Sequence, residues 1–343
     1  MGGSCERLKT DAPLDFPAVR LVISCQRRYN LSCLYDIDRK GVLSLNPTQK
    51  QTLKWLPIAF ILLQSTLYGF GDPISKAAYE VVPLYSLLSA RYTIAFLFLV
   101  LLFGKRIWRG LKACSVKDWL LPSLCISCAY IATNIAIVLT TATATAFLRS
   151  LSTVMTPLLA LVIYRKRFNP KHIPILIFVV VGLYLLCGRG GMNGFGLGEV
   201  AGLLSALLMA GSLIFGEKAL DKVDPVTLTT VQTAMSVILC TAAAFLLEGG
   251  VHLETAGTVE WVIIVYLAIL CTVAGYLLQN AALQSISSRM VALLQCTGPV
   301  MTAFFSFLIL GERLSPAGML GAGILLACVV AETLMSDDDS PTE

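Results

Sequence analysis

The sequence is short of charge. Only 14% of its 343 residues are Asp, Glu, Lys or Arg, while 56% are hydrophobic. Soluble domains carry about 25% charged residues, so a soluble domain is excluded as the main body of the chain. Histidine is scarcer still, with His172 and His252 as the only two. They fall in loops expected on opposite sides of a membrane. No His-centred catalytic pair can then form, and no HExxH run is present for zinc. The CxxC spacing at Cys125–Cys128 sits in an apolar stretch without a second Cys or His pair, which does not suit a metal centre. The glycine-rich "RGGMNGFGLG" lacks the Lys-Ser/Thr ending of a phosphate loop. No catalytic residue, cofactor or metal is therefore expected. Residues 1–54 lack an apolar h-region, which argues against a cleaved signal peptide. They are expected to form a polar, disordered cytoplasmic tail.

Long apolar runs dominate the rest. A helix needs about 20 apolar residues to span a bilayer. Ten segments approach that length, at about 55–76, 83–103, 119–139, 143–164, 172–188, 198–217, 226–247, 260–280, 288–310 and 316–335. The expected architecture is all-α and polytopic, with ten transmembrane helices. The connections are too short for a soluble domain.

Charge placement sets an expected orientation. With the N-terminus in the cytoplasm, the short inward loops hold twelve Lys and Arg residues, among them Lys105, Arg106, Arg165, Lys166 and Lys222, and the outward ones hold Lys76, Arg189 and Arg313. That is the positive-inside pattern, with both termini cytoplasmic. It accounts for the basic residues without a nucleic acid partner.

The two halves resemble each other. Span 4 reads "STVMTPLLALVIYRKRF" and span 9 reads "LLQCTGPVMTAFFSFLILGERL", each with a proline followed by a bulky apolar run. The prolines, Pro157 and Pro299, give an offset of 142, and the asparagines that end earlier spans, Asn134 and Asn280, give 146. Five spans per half make the halves oppositely oriented. Inverted repeats of this kind are a transporter architecture with the substrate site at the repeat interface.

Residues 68–103, "YGFGDPISKAAYEVVPLYSLLSARYTIAFLFLVLLF", resemble the first two spans of the EamA-type transporters of the drug/metabolite transporter superfamily. The likeness lies in an aromatic-glycine pair, a lysine one or two turns on, a proline loop and an arginine in span 2. "QNAALQSISSRMVALLQCTGPVMTAFFSFLILGERLSPAGMLGAGILLACVV" is similar to the end of the second repeat, including its Gly-Glu-Arg-Leu turn. The first repeat departs from the pattern, ending in "YRKRF". The resemblance covers about residues 55–335. It implies a ten-helix secondary transporter of small metabolites. The expected organisation is a tail at 1–54, repeats at 55–188 and 198–335, and an acidic tail at 336–343.

Depth along each helix locates the candidate site. At 1.5 Å per residue, Arg149 lies about 9 Å from the outer end of span 4 and Arg91 about 12 Å into span 2. Asp72 and Asn134 lie about 25 and 22 Å above the cytoplasmic ends of spans 1 and 3. Four polar groups from four helices thus share the outer half. Gln232, Gln279, Asn280 and Gln295 lie toward the cytoplasmic ends of spans 7, 8 and 9. The candidate substrate-binding set is Arg149, Arg91, Asn134, Gln64, Gln279, Asn280 and Gln295. Asp72 and Lys76, four residues apart, are the proton-coupling candidates and can pair on one helix face. Pro157 and Pro299 are candidate gating bends.

Alternatives stay open at this level. Arg149 either snorkels to the outer surface, or uses its planar fork to bind a substrate anion or to pair with Asp72. "YGFGDPISK" either breaks span 1 along the pathway or ends it, with Asp72 capping a surface helix. The polar amides serve as ligand groups or as interhelical glue. Gly198, Gly202, Ala206 and Ala210, and likewise Gly323, Ala327 and Ala331, recur every four residues and suit a tight bundle or a homodimer face. The leading expectation is a gradient-coupled exporter of a small metabolite, such as an amino acid, in the plasma membrane of a bacterium. An intramembrane enzyme, or a receptor or scaffold, is the alternative.

Overall fold

The computed structural model describes residues 47–164, 173–187, 196–311, 316–321, 323–324 and 327–328. Residues 1–46, the "YRKRF" run after Tyr164, most of the glycine-rich loop, Arg313 with the rest of the Gly-Glu-Arg-Leu turn, Ala331 and the acidic tail lie outside them. The chain divides into Met1–Gln51 and a compact unit, Thr52–Glu343. The first contributes only the opening residues of one helix.

The described residues are helical throughout, joined by short turns. Helix α1 is Pro47–Ala78, α2 is Leu84–Ala113 and α3 is Val116–Leu139. Two shorter helices follow, α4 at Ala142–Ser150 and α5 at Ser152–Tyr164, then α6 at Ile173–Cys187 and α7 at Leu197–Ala219. Helix α8 is Pro225–Glu248, α9 is Thr258–Leu283 and α10 is Ser288–Leu310. Residues 316–321, 323–324 and 327–328 are helical as well. Six helices (α2, α3, α7, α8, α9 and α10) are long and apolar enough to cross a membrane. Their lipid-facing positions are apolar: Leu101, Trp108, Leu246, Leu247 and Val262 are well exposed, as expected where the solvent is hydrocarbon.

The ends are fixed by local chemistry. Asp224 caps α8, accepting from the Thr227 amide at 3.3 Å, with Pro225 at the start of the helix. Asp118 closes a capping box on α3. The same two carboxylates hold basic residues, Arg106 on Asp224 and Lys222 on Asp118. Helix α8 finishes in a π-turn at Ala244–Glu248, and Gly249 follows in the left-handed region with φ 78°. That turn aims Glu248 at the start of α2, where its carboxylate accepts from the amides of Tyr85 and Ser86 at 2.7 and 2.9 Å.

Two expectations need correction, and one open alternative is decided. Helix α1 runs unbroken through Asp72 and Pro73 to Ala78, so "YGFGDPISK" is neither a broken helix nor a surface cap. Its glycines serve close approach instead. A Cβ on Gly69 would sit 2.5 Å from Met301 Cβ, and one on Gly71 would sit 2.8 Å from Cys271 Sγ. Span 4, expected as one helix bending at Pro157, breaks at Leu151 between α4 and α5, while Pro157 lies inside α5. Span 9 is interrupted in the same place, by a tight turn at Gln295–Thr297. Leu151 and Thr297 are 146 residues apart, so the breaks follow the asparagine offset rather than the proline one. Finally, the small-residue stripe of α7 packs inside the bundle. A Cβ on Gly198 would meet Thr140 Cγ2 at 2.4 Å, and one on Gly202 would meet Leu148. That face is not free for a dimer.

Candidate functional site

Where the two broken spans cross, they bond to each other. Thr153 Oγ1 donates to the Ala292 carbonyl at 2.6 Å and lies 2.8 Å from Cys296 Sγ. Around this crossing the polar residues of both halves gather.

Asp72 and Arg149 form a buried ion pair. Arg149 Nη2 donates to Asp72 Oδ2 at 2.9 Å and Nη1 to Oδ1 at 3.4 Å. Their side chains are 12% and 10% exposed, so neither reaches solvent as a snorkelling group does. Thr302 Oγ1 adds a third donor to Asp72, at 3.2 Å. The Arg149 guanidinium also lies over the Tyr68 ring, 5.9 Å from its centroid. A bidentate guanidinium–carboxylate contact is the strongest polar pairing available to these groups. The expected pairing of Asp72 with Lys76 does not form: the Lys76 ammonium donates to the Thr140 carbonyl. Helical spacing brings these two near each other, but α4 presents a better-matched partner across the interface.

Arg91, on α2, is buried at 4% exposure. Its Nε donates to Thr272 Oγ1 at 2.9 Å, and its guanidinium lies 5.3 Å from the centroid of Tyr92. Thr272 sits in a π-helical stretch of α9, Leu267–Ala274, and its hydroxyl bonds back to the Leu267 carbonyl. The wide turn is what directs Thr272 toward α2. Such π-bulges are frequent at functional sites. Asn134 accepts from the Tyr79 hydroxyl at 2.6 Å and donates to the Tyr130 carbonyl.

The neutral amides form two groups. Gln64, Gln279 and Gln295 make a triangle: Gln64 and Gln295 both donate to Gln279 Oε1 at 2.9 Å, and Gln295 donates to Gln64 Oε1 at 3.2 Å. Asn280 stands apart, donating to Thr229 and to Gln232 at 2.9 Å each.

Two small cavities flank this cluster and share Tyr68, Tyr130 and Arg149 as walls. One, of about 20 Å³, also touches Ser65 and Gln295. The other, about 10 Å³, is bounded by Asp72, Arg91 and Asn134. Each is about the size of one water molecule, far below the few hundred Å³ a metabolite needs. The site is closed. Asp72, Arg91, Asn134 and Arg149, placed at similar depth by their sequence positions, thus meet around one chamber. Gln295 reaches the neighbouring one. Lys76 and Asn280 line neither.

Sequence reasoning does not single out Tyr68, Tyr130, Tyr276, Thr272 or Thr302. The tyrosines form a run through the centre: Tyr68 to Tyr130 at 5.8 Å, then Tyr130 stacked on Tyr276 at 5.4 Å with planes 26° apart. The hydroxyls of Tyr68, Tyr92 and Tyr276 and of Ser65 are buried without a well-formed hydrogen bond among the described residues. A usable signal exists. Tyr130 and Tyr276 are 146 residues apart, the same offset as Asn134 to Asn280 and Arg149 to Gln295.

Among the described residues, a helical fold with several membrane-length apolar helices and a charged pair sealed in its interior defines a polytopic membrane protein with a central polar site. The EamA-like transporter family matches residues 55–188 and again residues 196–331, so the chain belongs to that family and is a multi-pass membrane transporter built from two copies of its domain. An uncharacterized transporter from Archaeoglobus fulgidus is 24% identical over 277 residues, 80% of this chain and 84% of that protein. A solved crystal structure of a protein superposes with a TM-score of 0.66 at 16% identity, covering 84% of this chain and 99% of the other. That likeness supports the fold alone.

Proposed function

We propose that this transporter exports a small metabolite bearing an anionic group, such as an amino acid or a related compound, across the plasma membrane, by alternating access. In this reading the two matched domains are inverted five-helix repeats. The six long helices, α1, the α4–α5 pair, α6 and a last span that includes the helical residues 316–321, 323–324 and 327–328 make ten spans, with both termini cytoplasmic. The chamber bounded by Asp72, Arg91, Asn134 and Arg149 is the substrate site, with the Gln64, Gln279 and Gln295 triangle beside it, and the paired breaks in α4–α5 and α10 are where the repeats rock.

The observation that carries this reading is the Asp72–Arg149 pair, sealed between elements of the first repeat and held by Thr302 of the second. A buried ion pair is a poor device for stability but a good switch. Protonation of Asp72 releases Arg149 and weakens the Thr302 contact. That couples proton binding to separation of the repeats. The experiment is uphill flux in proteoliposomes, with a panel of radiolabelled amino acids and small organic acids under an imposed pH gradient. Transport confined to lipophilic cations contradicts the anion reading.

A further inference from the structure

Arg91 is the one strongly buried cation of the chamber that no carboxylate meets among the described residues. Its Nε is taken by Thr272 and its flat face rests on Tyr92. Neither Nη makes a hydrogen bond to a described residue, while the side chain forms part of the wall of the smaller cavity. Thr272 and Tyr92 are themselves fully buried, so the guanidinium is positioned by two rigid neighbours and keeps its outer pair of donors unused. Arg149, by contrast, has its fork closed on Asp72. In charge, the chamber holds one carboxylate and two guanidinium groups, an excess of one positive charge. A buried charge without a counter-ion is costly, so the chamber favours a ligand of one negative charge.

We propose that Arg91 is the anion anchor of this chamber and that it takes a small organic monocarboxylate end-on through its two Nη groups, with Arg149 reserved for Asp72. The end-on geometry suits the planar carboxylate, which accepts two parallel N–H bonds. A single negative charge neutralises the chamber, whereas a dianion reverses its sign. The tyrosine walls supply an apolar lining for the rest of the molecule. The identification of this anion as cargo rests on the transporter reading above. Its binding does not.

The test is thermal unfolding of the purified full-length protein in detergent, titrated with sodium propionate, propionamide, sodium chloride and sodium succinate at constant ionic strength. A ligand that binds the folded state raises the melting temperature in proportion to its occupancy. Propionate is expected to give a saturable rise that neither propionamide nor succinate gives, with chloride weaker because it cannot use the fork. In Arg91→Gln the half-saturating propionate concentration rises about tenfold or more, as expected for loss of a charge-assisted pair. In Lys222→Gln, which removes an exposed cation outside the chamber, the propionate response remains. Should Arg91→Gln fail to fold, Arg91→Lys decides: propionate binding weakens relative to chloride, because the charge stays and the fork is lost. An equal response to propionate and propionamide, an unchanged response in Arg91→Gln or Arg91→Lys, or an equal weakening in Lys222→Gln overturns the proposal. Flux without an Arg91-dependent anion response leaves the transporter reading intact and removes this one. A propionate response without flux does the reverse.

Discussion

Arg149 reaches across 77 positions of sequence to place its fork on Asp72, with Nη2 to Oδ2 at 2.9 Å and Nη1 to Oδ1 at 3.4 Å. Removing one member leaves the other charged and buried. Asp72→Asn alone is expected to destabilise the protein by about 3–5 kcal/mol, and the double variant Asp72→Asn/Arg149→Gln to recover much of that loss. Denaturation in detergent for the two single variants and the double variant measures the coupling. Additive losses mean that the pair is not an energetic unit.

Arg149→Lys keeps the charge and loses the fork. A snorkelling arginine tolerates that change. Here the ammonium can serve only one carboxylate oxygen at a time, so flux is expected to fall at least about tenfold, the equivalent of about 1.4 kcal/mol. Initial rates in proteoliposomes check it, and wild-type flux in Arg149→Lys returns the residue to a passive role.

The central polar residues were half legible. Depth is readable from the rise of a helix, and it placed Asp72, Arg91, Asn134 and Arg149 at one level without any knowledge of rotation. Rotation about each helix axis decides which of them touch, and it is set by packing between helices distant in sequence. Hence both Lys76 and Arg149 read as partners for Asp72, and only Arg149 reaches it, while Lys76 turns to the Thr140 carbonyl. The helix breaks were misread for a related reason. Proline marks where a backbone donor is missing, but the chain opens at Leu151 and at Gln295–Thr297, where the two spans bond across their crossing. The tyrosine run was hidden because a tyrosine in an apolar segment also suits a membrane interface.

Tyr276 is fully buried, and its hydroxyl lies beside that of Tyr92 without a hydrogen bond of good geometry among the described residues. Removing an unpaired buried polar group costs nothing in hydrogen bonding. Tyr276→Phe is therefore expected to leave stability unchanged or raise it by up to about 1 kcal/mol. A melting temperature clearly below wild type argues that the hydroxyl is satisfied after all.

Two glycines separate close approach from helix propensity. A Cβ at Gly69 lands 2.5 Å from Met301 Cβ, while nothing lies within 4 Å of one at Gly104, inside α2. Gly69→Ala is expected to cost about 1–3 kcal/mol through overpacking. Gly104→Ala is expected to stabilise by about 0.5–1 kcal/mol, since alanine is the better helix former. Paired unfolding curves test both signs at once.

The claim on which the account turns is that Asp72 binds the coupling proton and, by doing so, lets go of Arg149. The direct measurement is uphill accumulation of a transported substrate in proteoliposomes under an imposed pH gradient, comparing wild type with Asp72→Asn. The expected result is that Asp72→Asn loses uphill, pH-driven flux while it retains downhill exchange that no longer varies with pH. Uphill flux in Asp72→Asn with the wild-type pH dependence contradicts it.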